Sequence, residues 1–390
     1  MDHAATTPVD PEVLEVMIPL FTTEYGNPSS IHHWGQRSEY ILHSSRETIS
    51  KSLNCETDEI IFTSSGTESD NLALRGIALE AYHRNKNNHM IISSIEHPAI
   101  MNTAHDLKTK YGFELTILPV NQYGLVEPHD LANAIKENTI LVSIMYANNE
   151  IGVIQPIAKL SEITKASNIL FHTDAVQAAG QLILDVKSLG VDLMSISGHK
   201  FYGPKGIGAL YIKRNIPFRS TQTGGSQENG LRAGTENVPL IAGMAKALEI
   251  SMSRYKDDTI KMTQLRNLLI DTILQEIPDC YITGHKKQRL PNNASFVFDN
   301  IDGNELIMNL DIYDIAASSG SACKIGNPEP FDIIVINNTL NTIKDVHGLL
   351  KNLTHYCHNK TRLVISFHNW LWQPLLKIAE GLGQREPQHP

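Results

Sequence analysis

Between residues 59 and 213 short continuous apolar runs recur along the chain, separated by longer stretches in which apolar positions return every three or four residues. The runs fall at 60–62, 90–95, 115–119, 139–146, 169–172, 193–196 and 209–212. Runs of that length suit strands buried on both faces, and the intervening spacing suits helices with one buried face. The alternation predicts an α/β domain with a mainly parallel, seven-stranded sheet covered on both faces. Asp10-Pro11 reads as an N-cap followed by proline at the first helical position, opening a helix to about residue 21. A long helical stretch from about 240 to 277 leads towards a second, smaller region. Beyond 330 the pattern restarts: an apolar strand at 331–340, a helix near 343–356, a strand at 362–367, then Trp370-Leu371-Trp372.

Composition narrows the class. The 390 residues suffice for a large domain and a smaller one, and 41% hydrophobic content supports substantial cores. A net charge of −9 argues against nucleic-acid binding, which favours a basic face. No run of 18 apolar residues predicts a membrane span, and Asp2 with no apolar segment near it argues against a secretory signal. Cys55, Cys280, Cys323 and Cys357 are far apart and read as reduced thiols of a cytoplasmic protein. His355, Cys357 and His358 cluster, but no complete ligand set is spaced for a metal, so none is expected.

The candidate chemistry sits at the ends of the predicted strands. Lys200, in Ser197-Gly198-His199-Lys200, follows the strand at 193–196 and heads a glycine-rich loop. It is either a solvated surface lysine or a Schiff-base lysine, whose amine must lose its proton beside an aldehyde. Asp174 follows the strand at 169–172 and is either a helix N-cap or a carboxylate for the pyridine nitrogen of pyridoxal phosphate. Ser64-Ser65-Gly66-Thr67-Glu68 links a strand to a helix, as a phosphate cradle or an ordinary capping box. His97 could stack on a flat ring or serve structure alone. Cys323, in Ser318-Ser319-Gly320-Ser321-Ala322-Cys323, is a small buried cysteine or a thiolate on a flexible loop.

Together with Asp2-His3-Ala4-Ala5-Thr6-Thr7-Pro8, Gly26-Asn27-Pro28-Ser29-Ser30-Ile31-His32, Glu96-His97, Asn148-Asn149-Glu150-Ile151-Gly152 and Gly230-Leu231-Arg232-Ala233-Gly234-Thr235-Glu236-Asn237, these segments make nine motifs over about 330 residues. In order and spacing the chain resembles the cysteine desulfurases, class V aminotransferase relatives among the fold-type I pyridoxal-phosphate enzymes. The resemblance implies a large cofactor-binding domain at 15–255, a smaller α+β domain at 256–330 with an N-terminal contribution from 1–14, and an atypical segment at 331–390. It implies that Lys200 holds the cofactor and moves the Cα proton, Asp174 pairs with the ring nitrogen and His97 stacks on the ring. Gln177 and Asn149 then lie near the ring hydroxyl and the substrate, and Gly66, Thr67, Ser197 and His199 near the phosphate. Thr235 would reach the phosphate of a partner subunit in a homodimer. Cys323 would take sulfur from L-cysteine as a persulfide, leave alanine, and pass the sulfur to a scaffold or carrier protein.

Two departures stand beside this likeness. Only Met1 precedes the first motif, so an opening strand of the small domain is missing or clipped. After Pro330 the helix and arginine-bearing strand of the family are not recognisable, and the order instead resembles, weakly, part of a class I S-adenosylmethionine-dependent methyltransferase. That activity would need an upstream glycine-rich loop where this chain has desulfurase motifs. A junction near 326–331 and an incomplete small domain are therefore expected. Arg362, in Thr361-Arg362-Leu363, either stands in for the arginine that binds the substrate carboxylate or faces solvent at a strand edge. The alternatives for function are a catalytically impaired, cofactor-binding interaction protein and a selenocysteine lyase.

Overall fold

A computed structural model describes residues 2–84, 87–299 and 301–319, and the backbone of 333–337 and 361–366. Its helices are α1 (Pro11–Thr22), α2 (His33–Leu53), α3 (Gly66–His83), α4 (Pro98–Tyr111), α5 (Pro128–Ala134), α6 (Ile157–Ala166), α7 (Val186–Leu189), α8 (Val238–Glu276) and α9 (Gly303–Asp311). The strands are β1 (Ile60–Thr63), β2 (His89–Ser93), β3 (Glu114–Leu118), β4 (Thr139–Ser143), β5 (Leu170–Asp174), β6 (Leu193–Ser197), β7 (Gly208–Ile212), β8 (Cys280–Ile282), β9 (Ala294–Phe298), β10 (Ala317–Ser318), β11 (Ile333–Asn337) and β12 (Thr361–Ser366). The chain divides into two compact units, one of residues 8–148 and 154–255, the other of 1–7, 149–153 and 256–390.

The larger unit is built on a seven-stranded sheet in the order β1-β7-β6-β5-β4-β2-β3. All neighbours are parallel except those of β7, which runs against both β1 and β6. This is the mainly parallel α/β sheet expected from the apolar runs, and it agrees with the fold-type I architecture that the resemblance implies. Local signals start its helices: Asp10 accepts a hydrogen bond from the Glu12 amide at α1, with Pro11 at the first position, and Ser65 Oγ accepts from the Glu68 amide at α3. The predicted strand at 139–146 stops at Ser143, because the Met145 amide turns aside to donate to the Glu96 carboxylate at 2.9 Å. One face buries Leu72, Leu74 and Ile77 of α3 and Ile100, Ala104 and Leu107 of α4 against Met90, Ile92, Leu141, Leu193 and Leu210. Sequence order reverses between β2 and β4, a switch point of the kind where open parallel sheets bind ligands beyond their carboxyl ends.

The smaller unit holds a five-stranded sheet in the order β10-β11-β12-β9-β8. Its core joins Leu265, Leu269 and Ile273 of α8, Phe296 and Phe298 of β9, and Leu306 and Leu310 of α9. Residues 333–337 of the apolar segment and the strand near 362 both enter this sheet, as β11 and β12. These two strands are parallel to each other, and β12 runs antiparallel to β9, with Arg362 opposite Val297. The helix expected near 343–356, His355, Cys357, His358, Trp370 and Trp372 lie outside the described residues. Residues 3–5 form a turn, and Ser318 Oγ donates to the Asp2 carboxylate just before it.

Candidate active site

The carboxyl ends of β5 and β6 and the start of α3 converge because Gly66 lets them. A Cβ at Gly66 would lie 2.6 Å from Val176 Cγ2 and 3.2 Å from Ser197 Cβ, so any larger residue would push the helix off the strand ends. The N-terminus of α3, with the exposed Thr67 in its first turn, therefore faces the loop after β6. Ser197 closes β6 with a buried hydroxyl that has no hydrogen-bond partner. An orphaned buried hydroxyl beside a helix N-terminus, with a cradle that a single methyl would fill, fits a phosphate.

Lys200 ends the short 3₁₀ turn Gly198–Lys200, pinned where the Gly198 amide donates to the Ile207 carbonyl. It is half-buried, and its charge reaches both Asp174 and His97. Asp174 is buried, and the Val176 amide donates to its Oδ1 at 2.8 Å. No helix starts there; the carboxylate closes a turn instead of capping a helix. Burial raises the Asp174 pKa, while His97, the Val176 amide and Lys200 pull it back towards the charged form. His97 is the N-cap of α4, its Nδ1 accepting from the Ala99 amide at 3.1 Å. Burial lowers its pKa, with Asp174 opposing and Lys200 adding. His199 is held down to about 4 by burial and by Lys200 and Lys205, so it stays neutral near pH 7.

Gln177 is half-buried in the turn after Asp174. Thr235 is exposed, on a loop tied to the start of α3 by the ion pair between Arg232 Nε and Glu68 Oε1 at 2.8 Å. Asn149 belongs to the smaller unit, where Asn293 Nδ2 donates to its carbonyl at 3.5 Å. Cys323 lies outside the described residues, and Arg362 is described as backbone of β12 only. The larger unit thus brings together Gly66, His97, Asp174, Ser197, His199 and Lys200.

Behind these residues lies a buried polar layer that the sequence did not disclose as functional. Glu96 Oε1 accepts from Ser93 Oγ at 2.6 Å and from the Met145 amide, while Oε2 is buried without a partner. Burial drives its pKa up to about 8. His172 on β5 is fully buried between Ser143 Oγ at 2.8 Å and Ser195 Oγ at 3.0 Å, and burial pushes it down to about 3. Its 3.8 Å approach to Asp70 is therefore not an ion pair. Asp70 of α3 is buried too, its pKa raised by burial first and then by Asp174. A carboxylate on the apolar face of α3 and a histidine inside an apolar strand were the available signals.

Among the described residues no helix is long and apolar enough to cross a membrane. The profile of the family "Aminotransferase class-V" matches residues 1–343, past the change of pattern near 326–331. The chain is 46% identical over 351 residues to "Cysteine desulfurase IscS" of Dictyoglomus turgidum, covering 90% of this chain and 88% of that protein. A solved structure described as a "NIFS-LIKE PROTEIN" superposes with a TM-score of 0.82 at 37% identity, covering 91% of this chain and 97% of the other. Another, "SspA in complex with cysteine", superposes with a TM-score of 0.73 at 35% identity, covering 83% and 89%.

Proposed function

The chain belongs to the class V aminotransferase family, and it is a pyridoxal-phosphate-dependent cysteine desulfurase; from that premise we propose how its own residues do the work. The α3 N-terminus at Gly66 and Thr67, with Ser197 Oγ and His199, holds the phosphate. The partnerless buried hydroxyl of Ser197 is the observation that carries this reading. Asp174, whose charged form is favoured by His97, Lys200 and the Val176 amide against the cost of burial, pairs with the ring nitrogen. His97 covers the ring and Gln177 serves its hydroxyl.

The cofactor supplies an electron sink for the charge released at Cα. Lys200 holds the cofactor by its amine and carries a proton to and from Cα. Cys323 Sγ then attacks the sulfur of L-cysteine: an S–S bond forms, the C–S bond breaks with its electron pair remaining on the carbon side, and protonation of that carbon yields alanine. One cysteine and one enzyme thiol give one alanine and one persulfide. Asn149 and Arg362 are assigned to the substrate end.

The further assignments are a homodimer, in which the exposed Thr235 reaches the partner's phosphate site, and delivery of sulfur to a scaffold or carrier protein. A cytoplasmic setting is assigned as well, in keeping with four widely spaced cysteines that form no metal-ligand pattern. Alanine and sulfide release from L-cysteine by the purified protein, beside Cys323→Ala, tests the scheme. The expected result is turnover that the substitution abolishes; equal rates would exclude the persulfide route. No turnover with normal cofactor binding would favour an impaired interaction protein, and preference for selenocysteine a lyase.

A further inference from the structure

Three carboxylic acids approach one another at the carboxyl end of β5: Asp174 itself, Asp70 from α3 and Glu96 from the loop after β2. Each is less than a tenth exposed. Two buried like charges within interaction distance cannot both stay ionised in a site of low dielectric constant, because each adds its repulsion to the other's desolvation. The surroundings decide which one keeps its charge. Asp174 is faced by the cation of Lys200, by His97 and by a backbone amide donor. Glu96 has one hydroxyl and one amide on Oε1, and nothing on Oε2. Asp70 has the Ser195 hydroxyl and the neutral His172 near it, and its Oδ1 has no partner. Among the described residues no cation contributes to either of these two. An acid with one bonded and one bare oxygen is described better as COOH than as COO⁻, since an anion would leave full charge on the bare atom.

We propose that Asp70 and Glu96 are positioning residues, held as neutral acids, that confine the buried negative charge of this site to Asp174. The proposal rests on the reading of Asp174 as the partner of the ring nitrogen. Its consequence is that the ring meets one full carboxylate at a fixed place, with charge elsewhere excluded. Glu96 also braces the end of β4 through the Met145 amide, and Asp70 braces α3 against β5 and β6. Above the pKa of Glu96 a second negative charge appears beside Asp174, and the electronic spectrum of the bound cofactor reports it.

The test uses apoprotein of the full chain titrated with pyridoxal phosphate at pH 7, comparing wild type with Asp70→Ala, Asp70→Asn, Glu96→Ala and Glu96→Gln. The alanine variants are expected to bind about tenfold more weakly, as for loss of one buried hydrogen-bonding group. The amides, which keep the shape of the neutral acid and cannot ionise, are expected to recover most of that loss. Amides as weak as the alanines, or alanines as tight as wild type, overturn the proposal. Absorbance of the bound cofactor against pH gives a second measurement, independent of any loss of folding in the alanine variants. Wild type is expected to show a component with a midpoint of about 8 that Glu96→Gln lacks. Its absence from wild type, or persistence in Glu96→Gln, overturns the proposal as well. Asp174→Asn separates the two levels: if it leaves affinity and spectrum at wild-type values, the ring-nitrogen reading and this inference fall together. If it responds while the amides fail to rescue, only this inference falls.

Discussion

The larger unit buries acids and the smaller unit buries arginines, and the two are satisfied in opposite ways. In the smaller unit Arg266 Nη1 donates to the carbonyls of Arg289 and Leu290. Arg289 donates to the carbonyls of His285 and Thr283 and to Asn293 Oδ1. Burial, with Arg266 nearby, pushes the Arg289 guanidinium down to about 9, yet its fork is filled by two backbone carbonyls and the Asn293 amide oxygen. In the larger unit Asp70, Glu96 and Ser197 each keep a buried oxygen without a partner. A filled fork is a structural clamp, whereas a bare oxygen marks a place where a proton or a ligand belongs. Among the charged residues compared, the two buried arginines have their hydrogen bonds filled, whereas Asp70 and Glu96 do not.

The strongest way to break this contrast is to remove the amine at its centre. Lys200→Ala is expected to lower turnover by about a thousandfold or more, in the range for loss of an acid–base group, and to abolish covalent attachment; the absorbance of the bound cofactor and alanine formation measure both. Acid comes next. His172 titrates at about 3 in the folded chain against about 6.5 unfolded, so the unfolded state binds the extra proton and stability falls as pH drops from 6.5 towards 3. His172→Gln should flatten that window in the apoprotein by an amount on the order of a few kcal/mol, read from denaturant midpoints against pH. A slope unchanged by the substitution would mean the histidine is not buried neutral.

Arg289→Met should cost roughly 2–4 kcal/mol through three orphaned acceptors, seen as a lower melting temperature. If the clamp is only structural, cofactor affinity of the folded fraction stays at the wild-type value. The smallest effect is expected at Gly66→Ala. Its methyl meets Val176 and Ser197 and should destabilise by about 1–2 kcal/mol, while weakening inorganic phosphate as a competitor of the cofactor. A stability loss without any change in phosphate competition would detach Gly66 from the cradle.

Much of this was legible along the chain. The seven apolar runs became the seven strands of the large sheet, and Asp10-Pro11 started α1, because consecutive buried strands and helix caps are written in local sequence. The strand containing Arg362 was also legible, and its apolar run found a place beside β9. The buried layer was not. Glu96 stood inside a quoted motif, and His172 inside a quoted strand, with no sign of what faced them. Along the chain Asp174 reads equally as a helix cap or as a carboxylate for the cofactor, and only the fold shows that its turn leads into no helix.

Lys200 and its strand-end companions were therefore determined by sequence alone, since residue type and position after an apolar run already place a side chain at the carboxyl edge of a sheet. Only the tertiary structure decided which acids are buried close together and which oxygens lack partners. Those properties depend on groups brought together from α3, β2, β4, β5 and β6, and desolvation and Coulomb energies follow distance in space and not distance along the chain.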